Sequence, residues 1–332
     1  MYYRPLPQTD PARPADALPL AGGWCWFDRI EVLRRDGPPR VIAATEAPPE
    51  VLDRLTAPRA PVAGLTLDRP RIMGILNVTP DSFSDGGDHL APATAQAHAR
   101  AMADAGAAIL DIGGESTRPG AADVPVPEEI ARTAPVIAAL AGGAPISIDT
   151  RKAAVAQAAL AAGAALVNDV SAFLHDPAMA GVVAAAGVPV CLMHAQGTPQ
   201  TMQADPRYDD VLLDVYDHLA VRVAAAEAAG IARARILVDP GIGFGKTQAH
   251  NLALLARLSL FHALGCPILL GVSRKRFIGT IGQAPEPRAR MPGSVAVALA
   301  GVAQGAQVIR VHDVAETRQA LALWQAVTMG VA

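Results

Sequence analysis

Eight short apolar runs in this chain end in polar residues able to do chemistry. The residues that follow them are Asn77, Glu115 (in a longer loop), Asp149, Asn168, His194, Asp239 and Ser273, with Arg310 and His312 at the last run. Carboxylates accept paired N–H donors strongly, and an asparagine amide offers both a donor and an acceptor. Lys275 and Arg310 add positive charge near the same positions. Each residue alone has a plainer reading, because an Asp or Asn before a helix commonly caps its first turn. Caps do not require Asp149, Asn168, Asp239, Lys275 and Arg310 together on one rim. That mixture suits a ligand with a donor-rich edge and an anionic end. Two other motifs carry less. Gly245-Lys246-Thr247 looks like the end of a phosphate-cradling loop, but Pro240 stands where that motif needs its first glycine. The glycines of GIGFGK instead permit tight backbone turns beside a ligand. His194 and His312 have no partner at helical or finger spacing, which argues against a closed zinc cage.

The runs that must position these residues are Ile72–Leu76, Ala108–Ile112, Ile146–Ile148, Ala165–Val167, Val188–Met193, Ile236–Val238, Ile268–Val272 and Val308–Val311. Alanine-rich segments of helical character follow each one, the pattern of parallel strands with crossover helices. Residues 71–332 have the usual size of an eight-fold β/α barrel, whose chemistry sits at the C-terminal ends of its strands. A doubly wound sheet would carry a phosphate-binding glycine turn after its first strand, where Asn77-Val78-Thr79-Pro80 stands. The expected fold is therefore an eight-stranded parallel (β/α)8 barrel preceded by an N-terminal extension, residues 1–70. In that extension Asp36-Gly37 predicts a hairpin between Phe27–Arg34 and Arg40–Thr45, and Pro49–Leu55 a short helix.

Bulk properties agree with such a domain. Apolar residues make up 51% of the 332 and charged residues 18%, enough for a large buried core. A net charge of −3 argues against a surface that coats nucleic acid. Cys25, Cys191 and Cys266 are widely spaced and read as small core residues of a reduced compartment. No apolar run reaches membrane-spanning length, and the first residues lack the apolar centre of a signal peptide, so a cytoplasmic protein is expected.

Ordered motifs then point to a family. NVTPDSFSDGG (Asn77–Gly87), DIGGESTRPGA (Asp111–Ala121), SIDTRK (Ser147–Lys152) and VNDVS (Val167–Ser171) resemble successive signatures of the dihydropteroate synthases. So do CLMHAQGTPQTMQ (Cys191–Gln203), DPGIGFGK (Asp239–Lys246), GVSRKRFIG (Gly271–Gly279) and IRVHD (Ile309–Asp313). The resemblance implies condensation of 6-hydroxymethyl-7,8-dihydropterin diphosphate with p-aminobenzoate, assisted by Mg²⁺, to give 7,8-dihydropteroate and pyrophosphate. It places Asp149, Asn168, Asp239 and Lys275 around the pterin, and Asn77, Thr117, Arg118, Arg310 and His312 at the diphosphate, with Asn77 as the ligand to Mg²⁺. Thr117, Pro119, Phe244 and Lys275 would border the benzoate, whose carboxylate would meet the start of the helix after Ser273-Arg274-Lys275. Asp149, Lys275 and Arg118 would carry the catalysis, and the loops Thr79–His89 and Gly114–Asp123 would close over the site.

A homodimer and competition by sulfonamides are further family expectations. Two departures stand out: Arg276 follows the SRK lysine where some members have serine, and Ala195 follows His194 where a methionine is common. A pterin-dependent methyltransferase barrel would share the pterin-contacting Asp and Asn but would have no use for STRPG or SRK. A catalytically inactive pterin-binding paralogue would be expected to have lost the anion-binding residues, and these are present.

Overall fold

The structure is a computed structural model that describes residues 1–79, 91–116, 123–198 and 200–330. Near the N-terminus, β1 (Tyr2–Pro5) pairs antiparallel with β4 (Arg29–Arg34), and β4 pairs with β5 (Gly37–Ala43). A second small sheet joins β2 (Leu18–Pro19) to β3 (Trp26–Phe27). The helix α1 (Pro49–Thr56) carries proline at its first position, where no N–H is needed. Phe27, Ile30, Val32 and Leu55 form the core of this layer. It docks through Arg4, whose Nε donates to Ser259 Oγ at 3.0 Å, and through the Trp24 indole N–H, which donates to the Val302 carbonyl at 2.9 Å.

From residue 71 the chain alternates strand and helix. The strands are β6 (Arg71–Asn77), β7 (Ile109–Gly113), β8 (Ile146–Asp149), β9 (Leu166–Asp169), β10 (Val190–Met193), β11 (Ile236–Asp239), β12 (Leu269–Leu270) and β13 (Val308–Val311). Between and after them lie α2 (Ala91–Asp104), α3 (Val126–Leu140), α4 (Ala153–Ala161), α5 (Met179–Ala186), α6 (Val211–Ala228), α7 (Gln248–Ala256), α8 (Arg276–Ile281), α9 (Met291–Val302) and α10 (Val314–Met329). All neighbouring strands in the order β11-β10-β9-β8-β7-β6-β13-β12 are parallel. A parallel bridge between Val238 and Ile268 joins β11 to β12 and closes the ring. The fold is an eight-stranded (β/α)8 barrel.

The strands coincide with the apolar runs except at their ends. Asn77, Asp149 and Asp239 are the last residues of their strands and Asn168 the next to last, rather than first loop residues. Ladder pairing uses backbone groups and continues through a polar residue: Asn77 pairs with Gly113, Gly113 with Asp149, and Asp149 with Asn168. The Ile268–Val272 run contributes only Leu269 and Leu270 to β12.

Strand alternation then sorts the barrel interior by height, since residues two apart share a face. Met73, Ile109, Leu166, Cys191, Leu237, Leu269 and Val308 form one buried apolar layer near the strand starts. Val62 and Leu67, from the segment leading into β6, pack into the same layer and close that mouth. Two residues further along four of these strands the interior becomes polar: Asp111 after Ile109, Asn168 after Leu166, Asp239 after Leu237 and Arg310 after Val308. The apolar layer is the floor on which this polar end is built.

Candidate active site

Arg310 stands at the centre of the polar end. Its Nε donates to Asp111 Oδ2 at 2.5 Å and its Nη2 to Asp149 Oδ2 at 2.7 Å, while Asn168 Nδ2 donates to the same Asp111 oxygen at 3.1 Å. Burial disfavours the guanidinium charge, but the two carboxylates outweigh it and hold Arg310 protonated. The remaining oxygens, Asp111 Oδ1 and Asp149 Oδ1, are buried without a hydrogen-bond partner among the described residues, as is Ser147 Oγ. Buried acceptors left in this state are costly unless a ligand supplies donors. Burial accordingly pushes the Asp149 carboxyl up to about 7 against the pull of Arg310. It takes Asp239 to about 6, although the Gly241 N–H donates to its Oδ1 at 2.7 Å and Lys275 is nearby. The capping explanation thus survives for one oxygen of Asp239 and fails for Asp149. The first turn of α4 is instead served by Asp176, which accepts from the Ala153 N–H at 2.8 Å.

The loop leaving β7 is anchored by an ion network. Glu115 accepts from Arg151 at 2.9 Å and from Lys152 at 3.0 Å, and Lys152 also reaches Glu129 at 2.8 Å. Thr150 Oγ1 donates to Glu129 at 2.7 Å. Glu115 is therefore a buried anchor rather than a rim residue. In SIDTRK the Asp faces the site, while Thr, Arg and Lys hold the DIGGE segment and α3 in place.

On the opposite wall, glycines at positions 241, 243 and 245 all take positive φ, as close turning after Asp239 requires. A side chain at Gly241 would lie 1.8 Å from the His194 carbonyl oxygen, so the two loops meet backbone to backbone. Phe244 lies under the Lys275 ammonium, 4.1 Å from Nζ to the ring centroid, a cation–π arrangement. Lys246 Nζ is buried against His194 Nδ1 at 2.8 Å, the Phe244 carbonyl at 3.0 Å and the His194 carbonyl at 3.3 Å. Burial, opposed by Asp239, lowers its pKa to about 7. Burial and then Lys246 lower that of His194 to about 2, so its ring is neutral.

His312 Nδ1 lies 2.9 Å from Ser273 Oγ, which also accepts the His312 backbone N–H at 3.2 Å. Arg274 turns away into a bidentate pair with Asp313. Lys275 stands at the N-cap of α8, and Arg276 is its exposed first residue.

The structure thus gathers Asp149, Asn168, Asp239, Lys275 and Arg310 at one end of the barrel, with Phe244 beside Lys275. Asn77 Oδ1 borders them, 3.8 Å from where a Cβ on Gly113 would stand, and that position is 3.5 Å from Asp149 Cβ. Thr117, Arg118 and Pro119 lie outside the described residues, as do most of the two loops expected to close over the site. The sequence alone gives Asp111 no distinct role, and Lys246 falls in a loop that lacks the first glycine of a phosphate-binding motif. Asp111 was detectable in principle, since it alternates between Ile109 and Gly113 on the inward face. Nothing local distinguishes Lys246 from an exposed loop lysine.

Comparison with known proteins agrees with this geometry. The family model described as pterin binding enzyme matches residues 73–312. The dihydropteroate synthase of Escherichia coli K12 is 49% identical over 262 residues, covering 78% of this chain and 92% of that protein. The Neisseria meningitidis serogroup B enzyme of the same name is 51% identical over 266 residues, 78% of this chain and 93% of its own length. Among solved structures, Xanthomonas albilineans dihydropteroate synthase with 4-aminobenzoic acid aligns with a TM-score of 0.77 and 52% identity, over 81% of this chain and 98% of that one. Its complex with 7,8-dihydropteroate gives 0.74 and 50%, with the same coverage. With the family model matching most of the chain and relatives about half identical over nearly their whole length, the chain belongs to the dihydropteroate synthases, pterin-binding transferases.

Proposed function

We propose that this chain joins 6-hydroxymethyl-7,8-dihydropterin diphosphate to p-aminobenzoate, releasing pyrophosphate and 7,8-dihydropteroate. The observation that carries the reading is the pair of buried, unpartnered oxygens on Asp111 and Asp149 beside Asn168 and Arg310. A pterin edge with an amino group and ring N–H groups supplies the donors these acceptors lack. Asp149, Asn168 and Asp239 bind that edge, and Lys275 donates to the ring acceptors.

The bond from the pterin methylene to the diphosphate oxygen breaks first, with positive charge spreading into the electron-rich ring. The Asp149 carboxylate stabilises that charge, and the growing charge on the leaving group is met by Arg118, Arg310, Thr117 and His312. The aromatic amine, neutral at physiological pH, then attacks the methylene carbon and gives up a proton to solvent. Phe244 and Pro119 flank its ring, with Thr117 and Lys275 at its border.

A metal ion fits one donor here, the neutral amide oxygen of Asn77. Among the described residues no group of three His, Cys, Asp or Glu side chains could cage an ion. A single neutral oxygen suits Mg²⁺ that takes its other ligands from diphosphate and water. When bound, it would supply further positive charge to the departing diphosphate.

The test is pyrophosphate release from the purified protein. Release is expected only when pterin diphosphate, p-aminobenzoate and Mg²⁺ are all present. Normal pterin binding with no benzoate-dependent release would reject the synthase reading in favour of an inactive pterin-binding paralogue. A homodimer forms part of the same reading, with exposed Leu323 and Val327 on α10 available to a second copy. Sedimentation at micromolar concentration is expected to give twice the monomer mass. Among the described residues no helix is long and apolar enough to cross a membrane, and a cytoplasmic location is proposed with the function.

A further inference from the structure

Three consecutive carbonyls in the loop after β11 each accept a side-chain donor. Gln203 Nε2 donates to Gly243 O at 2.7 Å, Lys246 Nζ to Phe244 O at 3.0 Å, and the Tyr208 hydroxyl to Gly245 O at 2.7 Å. Gln203 and Tyr208 belong to the segment after β10, so the two loops are laced along their length. Lys246 differs from the other two donors in being a lysine amine that is buried, 3% exposed. Its Nζ lies within hydrogen-bond reach of three acceptors: the Phe244 carbonyl and the carbonyl and Nδ1 of His194. A buried nitrogen with its hydrogen bonds satisfied in this way is well held in either protonation state. It fixes the backbone of Phe244, whose ring lies against the Lys275 ammonium.

We propose that Lys246 is the positioning residue of the benzoate-binding wall: by tying the Phe244 carbonyl to the end of β10, it holds the Phe244 ring where the second substrate stacks. The inference rests on the placement of the benzoate at Phe244 given above. It assigns Lys246 a role in the second substrate's affinity and no contact with either substrate. Loss of this tie frees the Phe244 backbone to shift, while Asp239 keeps its place at the end of β11 with the Gly241 N–H on its Oδ1, and Asp149 and Asn168 stay on other strands.

A double-substitution cycle tests this by steady-state pyrophosphate release and equilibrium pterin binding on the full chain. Lys246→Met is expected to raise the benzoate KM about tenfold, with pterin affinity changed less than about threefold. On a Phe244→Ala background the same substitution should add less than about twofold, because the ring it positions is gone. Full additivity of the two changes, or an equal loss of pterin affinity, overturns the proposal and leaves Lys246 a general structural residue. If Phe244→Ala leaves the benzoate KM unchanged, the placement of the benzoate is wrong and the proposal falls with it. If Phe244→Ala raises KM and Lys246→Met does not, only the role of Lys246 is rejected. Should Lys246→Met not fold, Lys246→Gln, which retains an N–H donor, enters the same cycle under the same criteria.

Discussion

Asp149 and Asp239 carry pKa values above the ordinary 3.8, about 7 and about 6, because burial desolvates them more than Arg310 at Asp149 and the Gly241 N–H at Asp239 compensate. A carboxyl whose folded pKa is raised stabilises the fold fully below its unfolded pKa and loses that contribution as pH rises through the folded value. These two groups should therefore lower the stability of the unliganded protein between about pH 4 and pH 7. Pterin donors favour the ionised carboxylates, so the sign reverses on binding. Pterin binding is expected to release protons near pH 6.5 and to weaken as pH falls below about 6. Calorimetry in buffers of different ionisation enthalpy would detect the protons, and uptake instead of release would contradict the assignment. Arg118 is proposed for the other half of the reaction, at the leaving group. Arg118→Ala should lower kcat by about 10²-fold while changing pterin affinity less than about threefold. Equal losses in both would remove it from the leaving group.

The elements contribute through how they are tied together. The segment after β7 and the start of α4 share the buried network of Glu115, Glu129, Arg151 and Lys152. Removing one partner of a buried ion pair leaves the others uncompensated, which costs about 3 kcal/mol or more. Lys152→Met is expected to lose about that much stability in urea denaturation, since two buried carboxylates lose their shared cation. It should also reduce turnover, because the tethered segment leads into Thr117 and Arg118. Unchanged stability would mean that the network is not formed in solution.

At the scale of the molecule, the N-terminal layer sits away from the chemistry. It contacts the segment 258–264, the ends of α7 and α9, and one side of α6 through Arg35, which reaches Asp214 and Asp217 at 2.8 Å each. Glu31 joins the layer to the barrel by accepting from Arg4 and Arg257. Burial raises the Glu31 pKa, but hydrogen bonds from Arg257 and Arg4 outweigh it and hold the group below its ordinary value. Its stabilising contribution is present above the ordinary glutamate pKa and is lost as pH falls through the folded value. Glu31→Ala should lower thermal stability at neutral pH and leave kcat and both KM values within about twofold of the parent. A kinetic effect as large as the stability effect would show that the layer communicates with the active site.

The sequence by itself determined the barrel and the chemical types at its mouth. Alternating apolar runs and alanine-rich helices specify parallel strands and crossovers, and a period of two places Asp111, Asn168, Asp239 and Arg310 inward wherever the strands run. The ordered motifs determined the family. Only the tertiary structure decided which of these polar groups pair. Arg310 meets Asp111 and Asp149 across 199 and 161 residues of chain, a pairing fixed by closure of the ring and invisible to local spacing. The same holds for Glu115, a site candidate by position that became an anchor, and for Lys246, a loop lysine by sequence that became a buried tie. In each case the deciding quantity is burial against a distant partner, and burial is a property of the folded surface rather than of the neighbouring residues. The mixed rim of carboxylates and cations was legible from residue type, and the division of labour within it came from the fold.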